Sequence, residues 1–399
     1  MGEAANHKLS YVVEATRGTT PSNPRFQRLP DTRTTLALTK DNLESERVTG
    51  TRFPAEPRTG AKGVSGDIPA DLSAVAYDDF ISSALQGNWV NDAGAGTDTA
   101  TVDVEGTDFA GSVVGDTFTT VADTGTVTLE YLDSRMGYAR FRYDPDSPAN
   151  AAATTYELFN TTDTVEIDGD TFQIDLFTDG AEDATVKAGS TRKSFSILRE
   201  FSDFGSKGFL LFSGCEVATW NITAAANGIA KSTFGLFGRD MTGPSDAAPT
   251  NTDYAPAHDY KPFDTFKGDM QIDGATVSTV TDYNLTINNN HAAKFAVGQD
   301  ASQDPSVGES DVEGTLTMYF ENATLYEKFV NDSAFSAKLT LQDLQERQLI
   351  IDLPNCRIGS GTQPDVSADG PITITINFTA HYDETLASHV SVRRYYPTV

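Results

Sequence analysis

The sequence predicts a mainly β protein with two duplicated β-sandwich halves, each carrying one short helix, and an inserted β-domain in the first half. Three observations favour this class: strand-like alternation of apolar and polar residues, a pattern shared by the two halves, and one strongly acidic stretch without a counterpart. The alternation is clearest at Ile372–Phe378, where isoleucines and Phe378 share one face and Thr and Asn the other. This arrangement is typical of a sheet with one buried face.

The shared pattern is a Val-x-Gly start followed by alternation and a short helix. Val64–Leu72 matches Val312–Phe320, and the predicted helices Tyr77–Leu85 and Ala323–Val330 follow, the second with Asn322 as its cap. Three further matched pairs are Leu38 with Leu285, Cys215 with Cys356, and the strand from Ile229 to Phe237 with Ile372–Phe378. Since the matched segments keep their order, the sequence predicts a duplication.

The spacing between the matched segments is much longer in the first half, which predicts an insertion there. Residues 92–186 hold 15 Asp and 5 Glu against three Arg, a net charge of −17 out of −28 for the whole chain. Strand patterns recur within this stretch, with Asp168-Gly169-Asp170 as a hairpin turn. The predicted organisation is an N-terminal arm 1–30, a first domain 31–91 and 187–243, the insert 92–186, a linker 244–274 and a second domain 275–399.

Two long polar segments, 41–62 and 288–310, follow the first strand of each predicted domain. Loops of such length usually carry binding function or are disordered. Together with the arm 1–30, in which Pro21, Pro24 and Pro30 oppose a helix, they are the predicted contacts by which assembled copies of the chain stack on one another. Solvent-exposed loops without partners are the alternative.

The composition argues against nucleic-acid binding, membrane insertion and catalysis. Acids outnumber bases 57 to 29, whereas phosphate binding needs clustered Lys and Arg. No apolar run reaches the length of a membrane span, and the N-terminus lacks the apolar stretch of a secretory signal. These features predict an acidic protein made inside a cell.

No residue pattern indicates an active site. The histidines lack any catalytic or metal-binding motif, Cys215 and Cys356 lie in apolar strands as small core residues, and Trp89 and Trp220 are predicted core or interface anchors. Asp168–Asp170 and Asp103–Asp108 lack the spacing of a calcium loop. We therefore predict no catalytic, cofactor-binding or metal-binding residues and no enzymatic activity. The histidines are His7, His258, His291, His381 and His389.

Several segments together resemble the major tail tube protein of long-tailed bacteriophages with non-contractile tails. They are Tyr11–Pro21, Val64–Ala84, Thr191–Glu200, Gly208–Thr223, Asp311–Val330 and Ile372–Glu384. The resemblance implies a virion protein, made in the host cytoplasm, that stacks as rings into a hollow tube through which DNA passes without specific binding. It also implies tape measure and tail-end proteins as partners, with no cofactor and no membrane.

A tube ring of this family has six tube domains, so a chain with two domains predicts trimeric rings with pseudo-sixfold symmetry. Two alternatives stay open at this stage. One is another virion protein, such as a tail terminator or a decoration protein. The other is a secreted adhesin or carbohydrate-binding protein, suggested by strands rich in Thr, Asp and Gly.

Overall fold

The computed structural model describes residues 6–31, 33–43, 56–91, 100–105, 117–122, 125–135, 138–143, 164–167, 170–178, 183–204, 206–258, 260–299, 301–302, 304–321, 324–359, 364–365 and 371–395. The chain divides into two units. The first comprises Met1–Trp89 and Val186–Arg394, and the second comprises Val90–Thr185 and Tyr395–Val399. The second unit covers almost the same residues as the insert predicted at 92–186.

The elements follow one another as strands with two short helices in the described part of the chain. Up to the end of the second unit's segment they are β1 His7–Glu14, β2 Arg25–Arg28, β3 Ala37–Leu43, β4 Arg58–Asp71, α1 Asp78–Leu85, β5 Val90–Asn91, β6 Ala100–Glu105, β7 Thr117–Ala122, β8 Gly125–Arg135, β9 Tyr138–Tyr143, β10 Thr164–Ile167, β11 Asp170–Thr178 and β12 Asp183–Lys187.

The remaining elements complete the first unit. They are β13 Ser194–Phe201, β14 Phe209–Ala225, β15 Lys231–Gly238, β16 Asp240–Ser245, β17 Asp253–Ala255, β18 Asp264–Ile272, β19 Ala275–Thr276, β20 Val280–Asn288, β21 Asp311–Tyr319, α2 Thr324–Val330, β22 Phe335–Gln342, β23 Gln348–Ile358, β24 Pro364–Asp365, β25 Thr373–Ala380 and β26 Ser391–Tyr395.

Two series of antiparallel strands form the first unit. The first series is β1–β13–β14–β15–β4–β3, in which each neighbouring pair is hydrogen-bonded. The second is β18–β22–β23–β25–β21–β20, again with every neighbouring pair bonded. Because α1 precedes β13 and α2 precedes β22, the helices take the same place in the two series.

Aromatic side chains fill the core of the first series. Phe80 of α1 stacks on Phe195 with ring centroids 4.9 Å apart, and Trp220 stacks on Phe234 at 6.0 Å. The indole nitrogen of Trp220 donates to Ser232 Oγ at 2.7 Å, so this buried polar atom is satisfied. The predicted core role of Trp220 is confirmed by its complete burial.

The second series has its own smaller aromatic group, made by Tyr283, Phe335 and Phe378. Phe335 meets Phe378 edge-on at 5.8 Å, and all three side chains are buried. Cys356 lies opposite Phe335, as Cys215 lies opposite Phe195 in the first series. Both cysteines are free and fully buried, as predicted for small core residues.

The predicted N-terminal arm is part of the sheet rather than a separate arm. Its residues form β1, which pairs with β13 over its whole length, and β2, which pairs with β1. Leu9, Tyr11 and Phe26 are buried. The prolines do not prevent this, because Pro24 and Pro30 lie outside β2 and Pro21 lies between the strands.

The predicted linker and loops also contain strands. Residues 244–274 include β17 and β18, and β18 pairs with β22 as the outer strand of the second series. The segment predicted as a loop at 41–62 begins inside β3 and ends inside β4, and residues 44–55 lie outside the described residues. The helix prediction for α1 is confirmed within one residue. Asn322, the predicted cap of α2, lies outside the described residues.

The second unit contains a six-stranded antiparallel sheet in the order β10-β11-β6-β9-β8-β7. A separate short pair joins β5 to β12. The predicted hairpin between β10 and β11 is formed, with Ile167 opposite Asp170. Asp168 and Gly169 of its turn lie outside the described residues.

Gly314 is required by close packing against an aromatic ring. A Cβ atom added there would lie 2.2 Å from Cζ of Phe378, whose ring is itself buried. We expect Gly314→Ala to lower the free energy of unfolding by about 1–3 kcal/mol, since an overpacked core must shift its neighbours. Urea unfolding at neutral pH measures the change.

Gly63→Ala is the matched control, because Gly63 is also in a strand and its added Cβ would lie 3.6 Å from Thr39 Oγ1, an ordinary contact. Equal losses of stability in the two variants would contradict the packing explanation.

Candidate assembly interface

The two strand series are joined by one pair of strands, β14 and β20. Thr219–Ala225 of β14 lies antiparallel to Asn288–Asp282 of β20, with Ile222 opposite Leu285. The side-chain amide of Asn221 donates to Asn284 Oδ1 and to Thr286 Oγ1, both at 2.9 Å. Backbone pairing and a polar side-chain ladder therefore hold the second series to the first.

Strand β3 occupies the end of the first series that β20 occupies in the second. Leu36 and Leu285 each lie opposite the glycine of the Val-x-Gly segment on the adjacent strand, Gly66 and Gly314. Leu285 is covered by β14, and β20 alternates between buried and partly exposed residues. In contrast, no residue of β3 itself is buried, and Leu43 at its end is 59% exposed.

Within the described residues, β3 pairs on one side only, with β4. A second edge of this kind is formed by β24, which among the described residues pairs only with β25, with Pro364 opposite Ile374 and Asp365 opposite Thr373. Strand edges that pair on one side only are templates for pairing with another chain.

A buried carboxylate, Glu216, fastens the segment after β20 to the first series. Arg192 binds it in a bidentate manner, with Nε and Nη2 donating over 2.8–3.0 Å. Arg17 Nε lies 2.7 Å from Oε1, and His291 Nε2 lies 3.2 Å from Oε2. Arg17 also reaches Asp304 Oδ1 at 3.3 Å, and Arg192 donates to the Pro305 carbonyl at 3.4 Å.

The base of segment 289–310 is therefore anchored while its tip is exposed. Asn289 donates to the carbonyl oxygens of Ala84 and Val217 at 2.7 and 3.3 Å, and Ala292 exchanges two backbone hydrogen bonds with Ser306. Phe295 and Val297 at the tip are 50% and fully exposed. Segment 289–310 thus presents two apolar side chains on a fixed base.

A second buried carboxylate, Glu14, stabilises the turn that follows β1. It accepts hydrogen bonds from Gly18 N at 2.7 Å, Gly214 N at 2.9 Å, and the hydroxyls of Ser194 and Ser196 at 2.9 and 2.7 Å. Four donors thus satisfy the two oxygens of this buried carboxyl group. This turn also positions Arg17 beside Glu216.

The ionisation of Glu216 makes folding pH-dependent. Burial alone would raise the pKa of Glu216, but the contacts with His291, Arg192 and Arg17 outweigh it and lower the pKa below its usual range. This contribution to stability is present above the pKa of the unfolded chain and is lost as pH falls through the lower pKa of the folded chain.

We therefore expect Glu216→Gln to flatten the loss of stability on acidification. Urea midpoints compared at pH 7 and pH 4 should differ less in this variant than in the natural chain, because one proton-linked contribution is gone. Glu309→Gln, an exposed carboxylate on the same segment, serves as the control. If the urea midpoint of Glu216→Gln changed between pH 7 and pH 4 as much as that of the natural chain, this would contradict the role assigned to Glu216.

The helices α1 and α2 differ sharply in how they are covered. Seven of the eight residues of α1 are buried. Tyr11 of β1 packs edge-on against Phe80 and donates to Asp79 Oδ2 at 3.0 Å. Arg394 pairs with Asp78, and the side-chain amide of Asn289 donates to the carbonyl oxygen of Ala84. In α2 none of the residues Leu325–Val330 is buried, and Val330 is 64% exposed.

The cysteines and Trp89 that the sequence singled out lie in or next to the core of the first unit. Burial and the charge of Glu14 raise the pKa of Cys215, and burial beside Asp352 raises the pKa of Cys356 to about 12, so both thiols are poor nucleophiles. The indole of Trp89 donates to the Asp78 carbonyl at 3.0 Å beneath Arg394. In the part of the chain described, no three His, Cys, Asp or Glu residues converge as a metal site.

The remaining histidines are dispersed, and His291 alone joins the Glu216 cluster. His7 stacks near Phe201, His258 on Tyr260, and His381 Nε2 contacts Thr379 Oγ1. Burial lowers the pKa of His389. The side chains of Asp103–Asp108 lie outside the described residues. Sequence reasoning missed Glu216, Arg17 and Arg192 as an interface cluster, because they lie far apart in the chain.

Of the helices in the described residues, neither combines the length and apolar character needed to cross a bilayer. The described part of the first unit is mainly β, and its strands β3 and β24 each pair on one side only among the described residues. A family model described as phage tail tube protein matches residues 4–380, and the chain belongs to this family. No curated protein matches the chain closely enough to be reported as a relative. The chain is thus a structural component of a phage tail.

Proposed function

We propose that three copies of this chain close into a ring, and that stacked rings form the hollow tube of a non-contractile phage tail through which DNA is delivered. The observation that carries this proposal is the β14–β20 pair: one strand edge is joined within the chain, while the corresponding edges, β3 and β24, lack a second partner among the described residues. The family match supports a tail structural role.

The proposal treats the two strand series as copies of one tube domain. The order of strand pairing supports this, since β1, β13, β14, β15, β4 and β3 correspond in turn to β18, β22, β23, β25, β21 and β20. The cysteines and the Val-x-Gly glycines fall at matching registers, Cys215 with Cys356 and Gly66 with Gly314. We propose that the second unit is an insertion into the first copy, lying outside the channel.

The internal joint predicts how one copy meets the next. If β3 of the next copy, with the two residues that precede it, pairs as β20 does, Leu36 lies opposite Pro364 and Thr35 opposite Asp365 of β24. Within the chain, Ile222 lies opposite Leu285 and Thr223 lies opposite Asn284. In the proposed joint, Pro364 and Asp365 take the places of Ile222 and Thr223, and Leu36 and Thr35 take the places of Leu285 and Asn284. Three such joints alternate with three internal ones, giving six domains and a closed barrel with no free edge.

The charge of the chain suits a conduit for DNA. The net charge of −28 comprises −17 in residues 92–186 and −11 in the rest of the chain. The acidic excess of that remainder disfavours phosphate contacts that would have to break as DNA moves. The exposed tip with Phe295 and Val297 is the proposed contact between stacked rings. Tape measure and tail-end proteins are the proposed further partners in the virion.

Electron microscopy of the purified full chain tests this function. The expected result is hollow tubes or stacked rings with three chains per ring, and tubes that do not retain DNA at physiological salt. A single ring that never stacks would indicate a tail terminator instead. A monomer at high concentration would overturn the proposal.

A further inference from the structure

Helix α2 is less covered than α1. In the proposed ring, α2 lies where the second strand series meets another copy. Its apolar residues Leu325, Tyr326 and Phe329 are half-exposed, and Val330 is 64% exposed. Lys328 holds the helix to the rest of the unit, with Nζ 2.8 Å from Asp273 Oδ2. Half-exposed aromatic residues on a short helix leave apolar surface that a partner could cover.

The corresponding helix α1 shows what such a cover consists of. Asn289, the residue that follows β20, hydrogen-bonds the α1 carbonyl of Ala84 at 2.7 Å and the β14 carbonyl of Val217 at 3.3 Å. Thus the strand that crosses to β14 also brings the next residues of the chain onto the helix. Part of the cover of α1 is therefore supplied by the other strand series, in addition to Tyr11 of β1.

In the register set by Leu36 and Leu285, the residues corresponding to 289–292 are Lys40–Leu43, the last part of β3. All four are exposed in the single chain, and Leu43 is 59% exposed. An apolar side chain at the end of an edge strand and an apolar helix face are therefore both uncovered. One contact between two copies would bury both.

The charged residues at this place differ from those of the internal joint. Glu216 follows Cys215 on β14 and is bound by His291 of the arriving segment. The corresponding residue after Cys356 is Arg357, which lies 3.2 Å from Asp332, with 47% and 85% of the two side chains exposed. In the segment that would arrive from another copy, Asn42 takes the place of His291, and the acidic residue Asp41 directly precedes it. Because Arg357 and Asp41 carry opposite charges, the two sides of the contact are complementary.

We propose that α2 together with Arg357 is the docking surface for residues Lys40–Leu43 of a second copy of this chain. The inference rests on the proposed ring and names the surface by which the copies recognise each other. Leu43 packs on Phe329 and Val330, and Asp41 pairs with Arg357. A charge pair of this kind sets the orientation and the partner, while the apolar contact supplies most of the affinity.

Amide hydrogen exchange of the full chain, compared between the unassembled protein and tubes, tests the surface. Exchange in Thr324–Val330 should slow at least tenfold on assembly, whereas α1 should change little because it is already covered. Tubes in which α2 exchanges as in the free chain, or in which α1 and α2 slow equally, would overturn the inference and leave the proposed tube intact. Failure to form rings at all would overturn the proposed function itself.

A charge exchange provides the second test. Arg357→Glu should reduce ring formation at least tenfold while circular dichroism stays unchanged, since both members of the Arg357–Asp332 pair are largely exposed. Adding Asp41→Arg to Arg357→Glu should restore assembly, and Asp41→Arg alone should impair it. Assembly of Arg357→Glu at the natural level, or no recovery in the double variant, would contradict the proposed contact.

Discussion

Oxidation of tubes built from the double variant Thr35→Cys, Asp365→Cys is expected to join chains of one ring into a covalent trimer. The proposed register places these positions opposite each other in neighbouring copies, as Asn284 lies opposite Thr223 within one chain. Directly opposed strand residues have Cβ atoms about 4.5–5.5 Å apart, close to the distance a disulfide requires. A non-reducing denaturing gel measures the product.

The chain contains its own control for this experiment. Asn284→Cys with Thr223→Cys should form a disulfide within one chain, whether or not rings are present, and leave the mass unchanged. The natural Cys215 and Cys356 should not interfere, because both are fully buried. A control that oxidises while the tubes of the first variant yield only monomers would contradict the register.

Removing the buried carboxylate at position 216 is expected to have the largest effect on stability. Glu216→Ala leaves the guanidinium groups of Arg17 and Arg192 and the ring of His291 facing a site without their shared anion. Breaking a buried ion pair by deleting one partner typically costs about 3–5 kcal/mol. Both Glu216 and Arg17 are at least nine-tenths buried, so solvent screens the loss little. Urea unfolding followed by tryptophan fluorescence measures it.

Asp304→Ala is the matched comparison, because Asp304 also pairs with Arg17 but is 74% exposed. Its removal should cost no more than about 1 kcal/mol, the usual range for an exposed ion pair. Similar losses for the two variants would show that burial does not decide the strength of this cluster. A small loss at Glu216 would also remove the proposed anchor of segment 289–310.

Local sequence patterns predicted the elements whose environment is set by nearby residues. The alternation at Ile372–Phe378 predicted β25, with Ile374, Ile376 and Phe378 buried. Apolar spacing predicted α1 nearly to the residue. The two Val-x-Gly segments lie in β4 and β21, with Val64 and Val312 both buried. In each case a period of two or of 3.6 residues was sufficient evidence.

Elements held by distant partners were predicted less well. Strand β1 is hydrogen-bonded to β13, with His7 opposite Phe201, almost two hundred residues further along the chain. No local sequence pattern therefore distinguished β1 from an extended arm. The same holds for β18, whose partner β22 begins at Phe335 and which was predicted as linker. Backbone pairing over such separations is a tertiary property that propensity does not reveal.

The register of the two halves illustrates a second difficulty. Sequence similarity matched Leu38 with Leu285, but Leu36 is the residue that lies opposite Gly66, as Leu285 lies opposite Gly314. A shift of two residues keeps the same face of a strand, so alternation alone could not detect it. The Glu216 cluster was missed for a related reason, since its members at 17, 192, 216 and 291 share no spacing.

The most direct measurement of the central proposal is a reconstruction of the assembled tube by electron cryomicroscopy at a resolution that separates strands. The proposal expects three chains in each ring, with β3 of each chain and the two residues before it antiparallel to β24 of its neighbour and Leu36 opposite Pro364. Six chains in a ring, or a β3 edge that faces solvent in the finished tube, would contradict it.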